Sequence, residues 1–231
     1  EMVYEGYKTM QICPRCETTL SQQEVSEGYK DVKDIAVTVK FKLKNPEKIG
    51  LKGDVYLLAW TTTPWTLPGN VALAIGNEME YVVLTNAPQR EEMDQKNYIV
   101  AKVALGRLIT QAPFQEIAPE YDDYLTKKKL SGKDEFPYKI LKGSALVGLE
   151  YESLFDYYAN DKTLKNHENG WKVYAGDFVT TETGTGIVHI APAFGEYDMT
   201  MGKEKNLPFV QHVNMDGTFR PEVKDFAGVE V

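Results

Sequence analysis

The run Trp60-Thr61-Thr62-Thr63-Pro64-Trp65-Thr66-Leu67-Pro68-Gly69-Asn70 sets three adjacent hydroxyls, Thr61, Thr62 and Thr63, between two tryptophans. A threonine hydroxyl both donates and accepts, so such a cluster can hold a water or engage a carbonyl. Two prolines and a glycine keep the run from continuing as regular strand or helix. The hydroxyls therefore belong to a loop that follows the apolar stretch ending at Trp60. Threonine-rich runs also occur where hydroxyls merely satisfy neighbouring backbone, and the residues alone leave both uses open.

A second stretch runs Thr183-Gly184-Thr185-Gly186-Ile187-Val188-His189-Ile190-Ala191-Pro192-Ala193-Phe194-Gly195-Glu196-Tyr197-Asp198. Gly184 and Gly186 allow a tight turn or the close approach of a ligand. Strand alternation then puts Ile187 and His189 on one face and Val188 and Ile190 on the other. Pro192 ends the strand, and Asp198 falls in the first turns of the helix that follows. The chain can so bring an imidazole and a carboxylate to one cavity, although a lone strand histidine is more often structural. Neither stretch supplies a Ser/His/Asp triad, and no metal set is complete.

The third candidate is Cys13-Pro14-Arg15-Cys16, which holds both cysteines of the chain. A Cys-x-x-Cys pair is half of a tetrahedral zinc site. The other half is not in view, because His167, His189 and His212 form no paired motif. Half a zinc knuckle completed from outside the chain, a redox pair and two plain thiols all stand as readings. The redox reading lacks the βαβ pattern that accompanies it.

These residues need a scaffold, and the hydropathy pattern supplies one. Between Ile35 and Lys44, apolar Val37, Val39, Phe41 and Leu43 alternate with lysines, the signature of a half-buried strand. Val55 to Trp60 is a continuous apolar run, which predicts a strand buried on both faces and delivers the threonines to its end. Further strands are predicted at 71–75, 81–84, 98–101, 138–141, 171–174 and 186–190. Helices are predicted at 103–111 and 194–204, the latter with Phe194, Asp198 and Met201 near one face. Residues 1–34 read as an extended connector carrying the cysteine pair. The charged stretch 113–137 reads as a surface insertion into a domain spanning 35–231. Many short strands with a few helices predict an α+β fold with a β-barrel-like core and peripheral helices.

With 231 residues and a hydrophobic fraction of 42%, the chain can bury a sizeable core. No apolar run nears the roughly 20 residues that span a bilayer. The first residues lack the pattern of a secretory signal. The expectation is a cytoplasmic protein with no membrane partner. A net charge of −8 argues against a broad grip on nucleic-acid backbone. It leaves open the reading of one terminal nucleotide by stacking and a few hydrogen bonds. No glycine-rich nucleotide loop is present, so dinucleotide and ATP sites have no support.

Taken together, Thr61–Asn70 and Gly184–Asp198 resemble the paired signatures of the editing domain inserted in class I aminoacyl-tRNA synthetases for branched aliphatic amino acids. The isoleucyl form matches best, through the triple threonine followed by Pro64-Trp65-Thr66 and the run Ala191-Pro192-Ala193-Phe194-Gly195-Glu196. The valyl and leucyl forms carry an arginine before the proline, which is absent here. Tyr197 departs from the aspartate common in the family, while Asp198 keeps the register of its functional aspartate. The likeness covers most of the chain, including the Cys13–Cys16 stretch and Gly28-Tyr29-Lys30-Asp31.

The resemblance implies a hydrolase that removes valine from Val-tRNA(Ile), with valyl-adenylate as a second candidate substrate and no cofactor for that step. It implies Thr61, Thr62, Thr63 and Asp198 as catalytic residues, with Asp198 on the substrate ammonium. Trp65, Asn70, His189 and Phe194 are implied to bind substrate, Trp65 and His189 by excluding isoleucine. Backbone around 189–194 is implied to hold the terminal adenosine. The implied partners are the tRNA(Ile) 3′ end carrying valine and the rest of a synthetase. In longer relatives a second cysteine pair completes a zinc site with Cys13 and Cys16. The signatures of the aminoacylating domain are absent, so the expectation is a piece that hydrolyses but does not activate amino acid. The competing readings are a non-catalytic tRNA 3′-end binding module, a zinc-ribbon interaction module built on Cys13 and Cys16, and editing of the valyl or leucyl type.

Overall fold

The computed structural model describes residue 3 and residues 6–86, 96–108 and 138–231. The insertion expected at 113–137 lies outside the described residues. Near the N-terminus, β1 (Ile12–Cys13) and β2 (Thr18–Thr19) form a small antiparallel hairpin. A short helix α1 (Gln22–Glu27) follows. Ser21 caps α1, its hydroxyl accepting from Glu24 N–H while the Glu24 carboxylate takes Ser21 N–H, a reciprocal capping box. The expectation of an extended connector over 1–34 is therefore corrected. Two-residue strands are too short to show a hydropathy period, and the hairpin is held by main-chain bonds such as Leu20 N–H to Gln11 O.

The main body holds two sheets. The larger comprises β3 (Val37–Lys42), β4 (Asp54–Thr61), β6 (Glu80–Asn86), β7 (Lys96–Ala101) and β8 (Lys139–Lys142). Their order is β3-β4-β7-β6-β8, with β4 and β7 parallel and the other pairs antiparallel. The continuous apolar run of β4 is explained by its position, flanked by β3 and β7 and covered on both faces, so that Val55, Leu57, Leu58 and Ala59 are all buried. The smaller sheet has β5 (Ala72–Ile75) at its centre, antiparallel to β10 (Ile187–Ile190) and parallel to β9 (Lys172–Ala175). All four β5 residues are buried, as a short strand enclosed on both sides must be. Mixed sheets with few helices agree with the α+β expectation; closure into a single barrel is not seen among the described residues.

The sheets meet where β10 passes β4. Ala101 N–H, at the end of β7, donates to Thr185 O at 2.8 Å, and the buried Tyr81 hydroxyl donates to Gly186 O at 2.8 Å. Gly186 sits at φ +73°, and a Cβ there would come within 2.4 Å of the Ala101 Cβ, so only glycine lets β10 start this close to β7. Helix α2 (Lys102–Leu108) follows β7 directly and packs Ala104, Leu105 and Leu108 inward. Its Arg107 donates to the carbonyls of Thr181, Glu182 and Gly184, which pins the loop leading into β10. Helix α3 (Glu196–Glu204) follows β10. Phe194 precedes the Gly195 cap of α3, in a turn where its N–H reaches Ala191 O, and so lies two residues before the helix expected to contain it.

Candidate functional site

Thr61 closes β4 and is buried. Its Oγ1 accepts Thr63 N–H at 3.1 Å and lies 3.3 Å from Thr63 Oγ1. That contact bends the chain out of the strand. The next residues, Pro64–Gly69, wind into a 3-10 turn in which Thr66 N–H reaches Thr63 O at 3.0 Å. Pro64 suits the first position of this turn, having no N–H to leave unpaired. Thr62 and Thr63 are left exposed at the strand end, and the Thr62 side chain makes no hydrogen bond among the described residues.

The opposite wall comes from β10 and α3. His189 sits across from Leu73 in the register of β10 against β5. Asp198 lies in the first turn of α3 and its Oδ2 accepts Ala191 N–H at 2.9 Å. A Cβ on Gly195 would fall 2.8 Å from the Asp198 carboxyl carbon, so the absence of a side chain there leaves room for the carboxylate. Thr61, Thr62, Thr63, His189, Phe194 and Asp198 meet around one cavity of about 270 Å³, joined by Thr66 and Gly195. Six of the eight residues implied for catalysis and substrate binding are thus assembled from segments far apart in the chain.

Electrostatics distinguish the two titratable residues. Burial pushes the Asp198 carboxyl up to about 6, held back in part by the Ala191 N–H. No described cation forms an ion pair with it. A carboxylate that loses water and gains no cation is in an unfavourable place unless a ligand brings the charge. Burial, and secondarily His212, pulls His189 down to about 4, so the ring is neutral near pH 7. Its Nε2 lies 2.9 Å from Thr66 Oγ1, and its buried Nδ1 has no partner among the described residues. An enclosed acceptor left bare costs on the order of 1–3 kcal/mol. No hydrogen bond joins His189 to Asp198 among the described residues, so the pair is not part of a charge-relay triad.

Two expected substrate contacts sit elsewhere. Trp65 points away from the threonine cavity and lines a neighbouring groove of about 370 Å³, with Phe194 as the shared wall. Its ring meets Phe194 edge-on at 5.3 Å, so it backs the pocket through that side chain. Strand-end geometry explains the shift: the 3-10 turn rotates Trp65 away from the Thr61–Thr63 edge. Asn70 is in the core instead. Its Nδ2 donates to Ala72 O at 2.9 Å and its Oδ1 accepts the fully buried Tyr151 hydroxyl at 2.8 Å. With both ends of the amide engaged, Asn70 anchors the turn and does not face the cavity.

Two residues were missed. Thr66 links both walls, and His212 supports them. The His212 Nε2–H donates to Trp65 O at 2.9 Å, while its ring packs on Phe194 at 4.6 Å. His212 carries no sequence signal of a paired motif, whereas Thr66 stood inside the threonine stretch. Cys13 ends β1 and Cys16 lies in the hairpin turn; the Cys16 backbone N–H, and then its thiol, hold the Cys13 thiol below its ordinary value, while the bond to Cys13 raises Cys16. Among the described residues no three His, Cys, Asp or Glu side chains converge as a metal set.

No protein-family model matches the chain. It is 42% identical over its whole length to the isoleucine–tRNA ligase of Treponema denticola, and 41% identical to that of Clostridium acetobutylicum. It spans only 20% and 18% of the length of these relatives. Among solved structures it is similar to the cytosolic leucyl-tRNA synthetase editing domain of P. knowlesi, with 17% identity, 74% of this chain and 64% of that chain covered, and a TM-score of 0.49. The P. falciparum counterpart gives 15% identity, 75% and 68% coverage and a TM-score of 0.49. At those TM-scores the likeness says nothing about the site. No described helix is long and apolar enough to cross a membrane.

Proposed function

The chain belongs to the isoleucine–tRNA ligase family, matching a segment about a fifth as long as those relatives, and from that premise we propose that it is the hydrolytic editing domain, which deacylates Val-tRNA(Ile). A site that selects isoleucine by hydrophobic fit separates it from valine only modestly, because one methylene is worth about 10–200-fold; isoleucyl-tRNA synthetases are themselves the standing example of that limit. A second cavity that hydrolyses what is small enough to enter removes the error.

The observation that carries this reading is Asp198, a half-buried carboxylate with no ion-pair partner among the described residues, set across a small cavity from three threonines. An aminoacyl ester brings the missing charge as its α-ammonium, which a carboxylate engages by a charge-assisted hydrogen bond. That contact orients the ester carbonyl toward the threonine loop. Thr62 and Thr63 are placed to hold a water or the carbonyl oxygen, and Thr61 fixes Thr63 through its N–H. An ester is already activated relative to an amide, so positioning and polar stabilisation of the developing oxyanion supply the catalysis. His189 is a poor base at neutral pH, since burial holds it near 4. Its part is steric, together with Phe194, and Trp65 acts through Phe194. Valyl-adenylate presents the same ammonium and carbonyl and fits the same contacts.

Zinc belongs to the proposal as a structural group rather than a catalytic one. Cys13 and Cys16 face each other across one turn, which fits half of a tetrahedral set. The remaining ligands come from elsewhere in a longer synthetase. The partners proposed are the 3′ end of tRNA(Ile) and the rest of such an enzyme, in the cytoplasm.

The experiment is deacylation by this chain of tRNA(Ile) charged with valine or with isoleucine. Release of valine at least about tenfold faster than isoleucine supports the reading. Binding of the charged 3′ end with no release leaves a non-catalytic binding module, and hydrolysis of both esters at one rate removes the size sieve.

A further inference from the structure

A second small core packs against the back of the cavity. Val213, Phe219 and Val223 are buried together there, and Trp65 and Phe194 pack on them. The chain turns back on itself between Val213 and Phe219, which pair as an antiparallel bridge, and Arg220 N–H donates to His212 O at 2.9 Å. That turn delivers His212 to the seam between this core and the site, where its side chain is wholly buried. A main-chain carbonyl can only accept, so the 2.9 Å contact between His212 Nε2 and Trp65 O requires the Nε2–H tautomer. The ring is held on three sides, by Phe219 stacked at 5.8 Å, by Phe194 edge-on at 4.6 Å, and by Gly69. A Cβ on Gly69 would fall 2.5 Å from His212 Nδ1, so the 3-10 turn behind the threonines fits the ring only because residue 69 is glycine.

We propose that His212 is a positioning residue for hydrolysis: its N–H on the Trp65 carbonyl and its ring against Phe194 clamp the 3-10 turn to the β10–α3 wall, and so fix Thr62 and Thr63 relative to Asp198. The chemistry rests on the editing reading; the clamp does not. The two halves of the site are held by different bonds. Asp198 is fixed by Ala191 N–H, within the β10–α3 segment itself. The threonine loop is tied to that segment at one point by Thr66 on His189, and His212 supplies the second tie, through a carbonyl two residues beyond Thr63. Loss of the clamp leaves the carboxylate in place to hold the ammonium and lets the threonines drift from the anchored ester. The chemical step then slows more than binding weakens, since a misplacement of about 1 Å costs on the order of a hundredfold in rate.

The clamp is tested first without substrate, on the full 231-residue chain labelled with ¹⁵N. Proton–nitrogen correlation spectra are expected to show His212 as the Nε2–H form. Hydrogen exchange is followed at Thr66 N–H, which bonds Thr63 O within the turn. His212→Leu keeps an apolar side chain of similar bulk and removes the donor, and is expected to speed that exchange about fivefold, the weight of one hydrogen bond. His212→Gln, whose amide nitrogen can stand where Nε2 stands, is expected to restore protection. Gly69→Ala pushes the ring from the opposite side; it is expected to match His212→Leu and to add less than half its own effect when combined with it. A wild type with the proton on Nδ1, or exchange unmoved in His212→Leu and Gly69→Ala, overturns the clamp, and Gly69→Ala alone decides if His212→Leu does not fold. With Val-tRNA(Ile), His212→Leu is expected to lower kcat about ten- to a hundredfold with KM within about twofold, and His212→Gln to recover most of kcat. An unchanged kcat, or a rise in KM alone, overturns the positioning role. A wild type that releases no valine while the exchange pattern holds overturns the editing reading, and with it the hydrolytic role, but leaves the clamp standing, so the two failures are distinguishable.

Discussion

Replacing Asp198 by asparagine keeps a side-chain oxygen to accept the Ala191 N–H and removes only the charge. The ordinary carboxyl value is 3.8, and in the folded chain burial raises Asp198 to about 6. Between those values the folded state binds more protons than the unfolded one. Stability therefore falls as pH rises through that window and stays lower above it. At about 1.4 kcal/mol per tenfold, the charged Asp198 costs up to about 3 kcal/mol at pH 8 and about 0.5 kcal/mol at pH 4; solvent at the cavity mouth lessens the cost. Asp198→Asn is thus expected to be more stable than the wild type at pH 8, by up to about 3 kcal/mol, or roughly 6–12 °C in Tm. The gain should nearly vanish at pH 4. The same variant should lose deacylation. Urea unfolding followed by tryptophan fluorescence at the two pH values reads the first effect, and the Val-tRNA(Ile) assay reads the second. A variant no more stable than wild type at pH 8, or one with the same gain at both pH values, refutes the account of Asp198 as a carboxylate kept in an unfavourable place for function.

Deacylation should also depend on pH in a stated direction. The ammonium needs the ionised carboxylate, so kcat/KM should fall as pH drops through about 6, and the corresponding break in kcat should lie lower because bound substrate favours the charged form; a profile flat from pH 8 to 5 counts against Asp198. Asn70→Ala orphans the Tyr151 hydroxyl in the core and should cost about 1–3 kcal/mol of stability while leaving the valine-to-isoleucine ratio unchanged. A shifted ratio with unchanged stability would return Asn70 to the cavity.

The strands were legible because each carries a period or a length that only one environment satisfies. Lysines alternate with apolar residues in β3, at the sheet edge, while the unbroken apolar run of β4 fits a strand covered on both faces. That His189 and Asp198 could share a cavity was legible from the strand-to-helix turn, whereas the meeting of Thr61–Thr63 with them was implied by the resemblance to the editing-domain signatures. What escaped depends on partners distant in sequence. Asn70 reads as a polar residue beside a threonine loop, and nothing near it announces Tyr151, which lies 81 positions away. Trp65 was assigned to the pocket by the resemblance, but the 3-10 turn swings it toward Phe194. The Cys13 hairpin is too short for periodicity, although the Ser21–Glu24 capping box behind it was available to read. Separation of the strands into two sheets is a matter of pairing, which hydropathy does not encode.

Calorimetric binding of two ligands to the chain and to Asp198→Asn isolates the central interaction: a non-hydrolysable amide of valine with 3′-amino-adenosine, and the same amide lacking the amino group. The carboxylate account predicts that the wild type binds the amino ligand at least about tenfold more tightly, and that Asp198→Asn binds both alike. Equal binding of the two ligands by the wild type would contradict it.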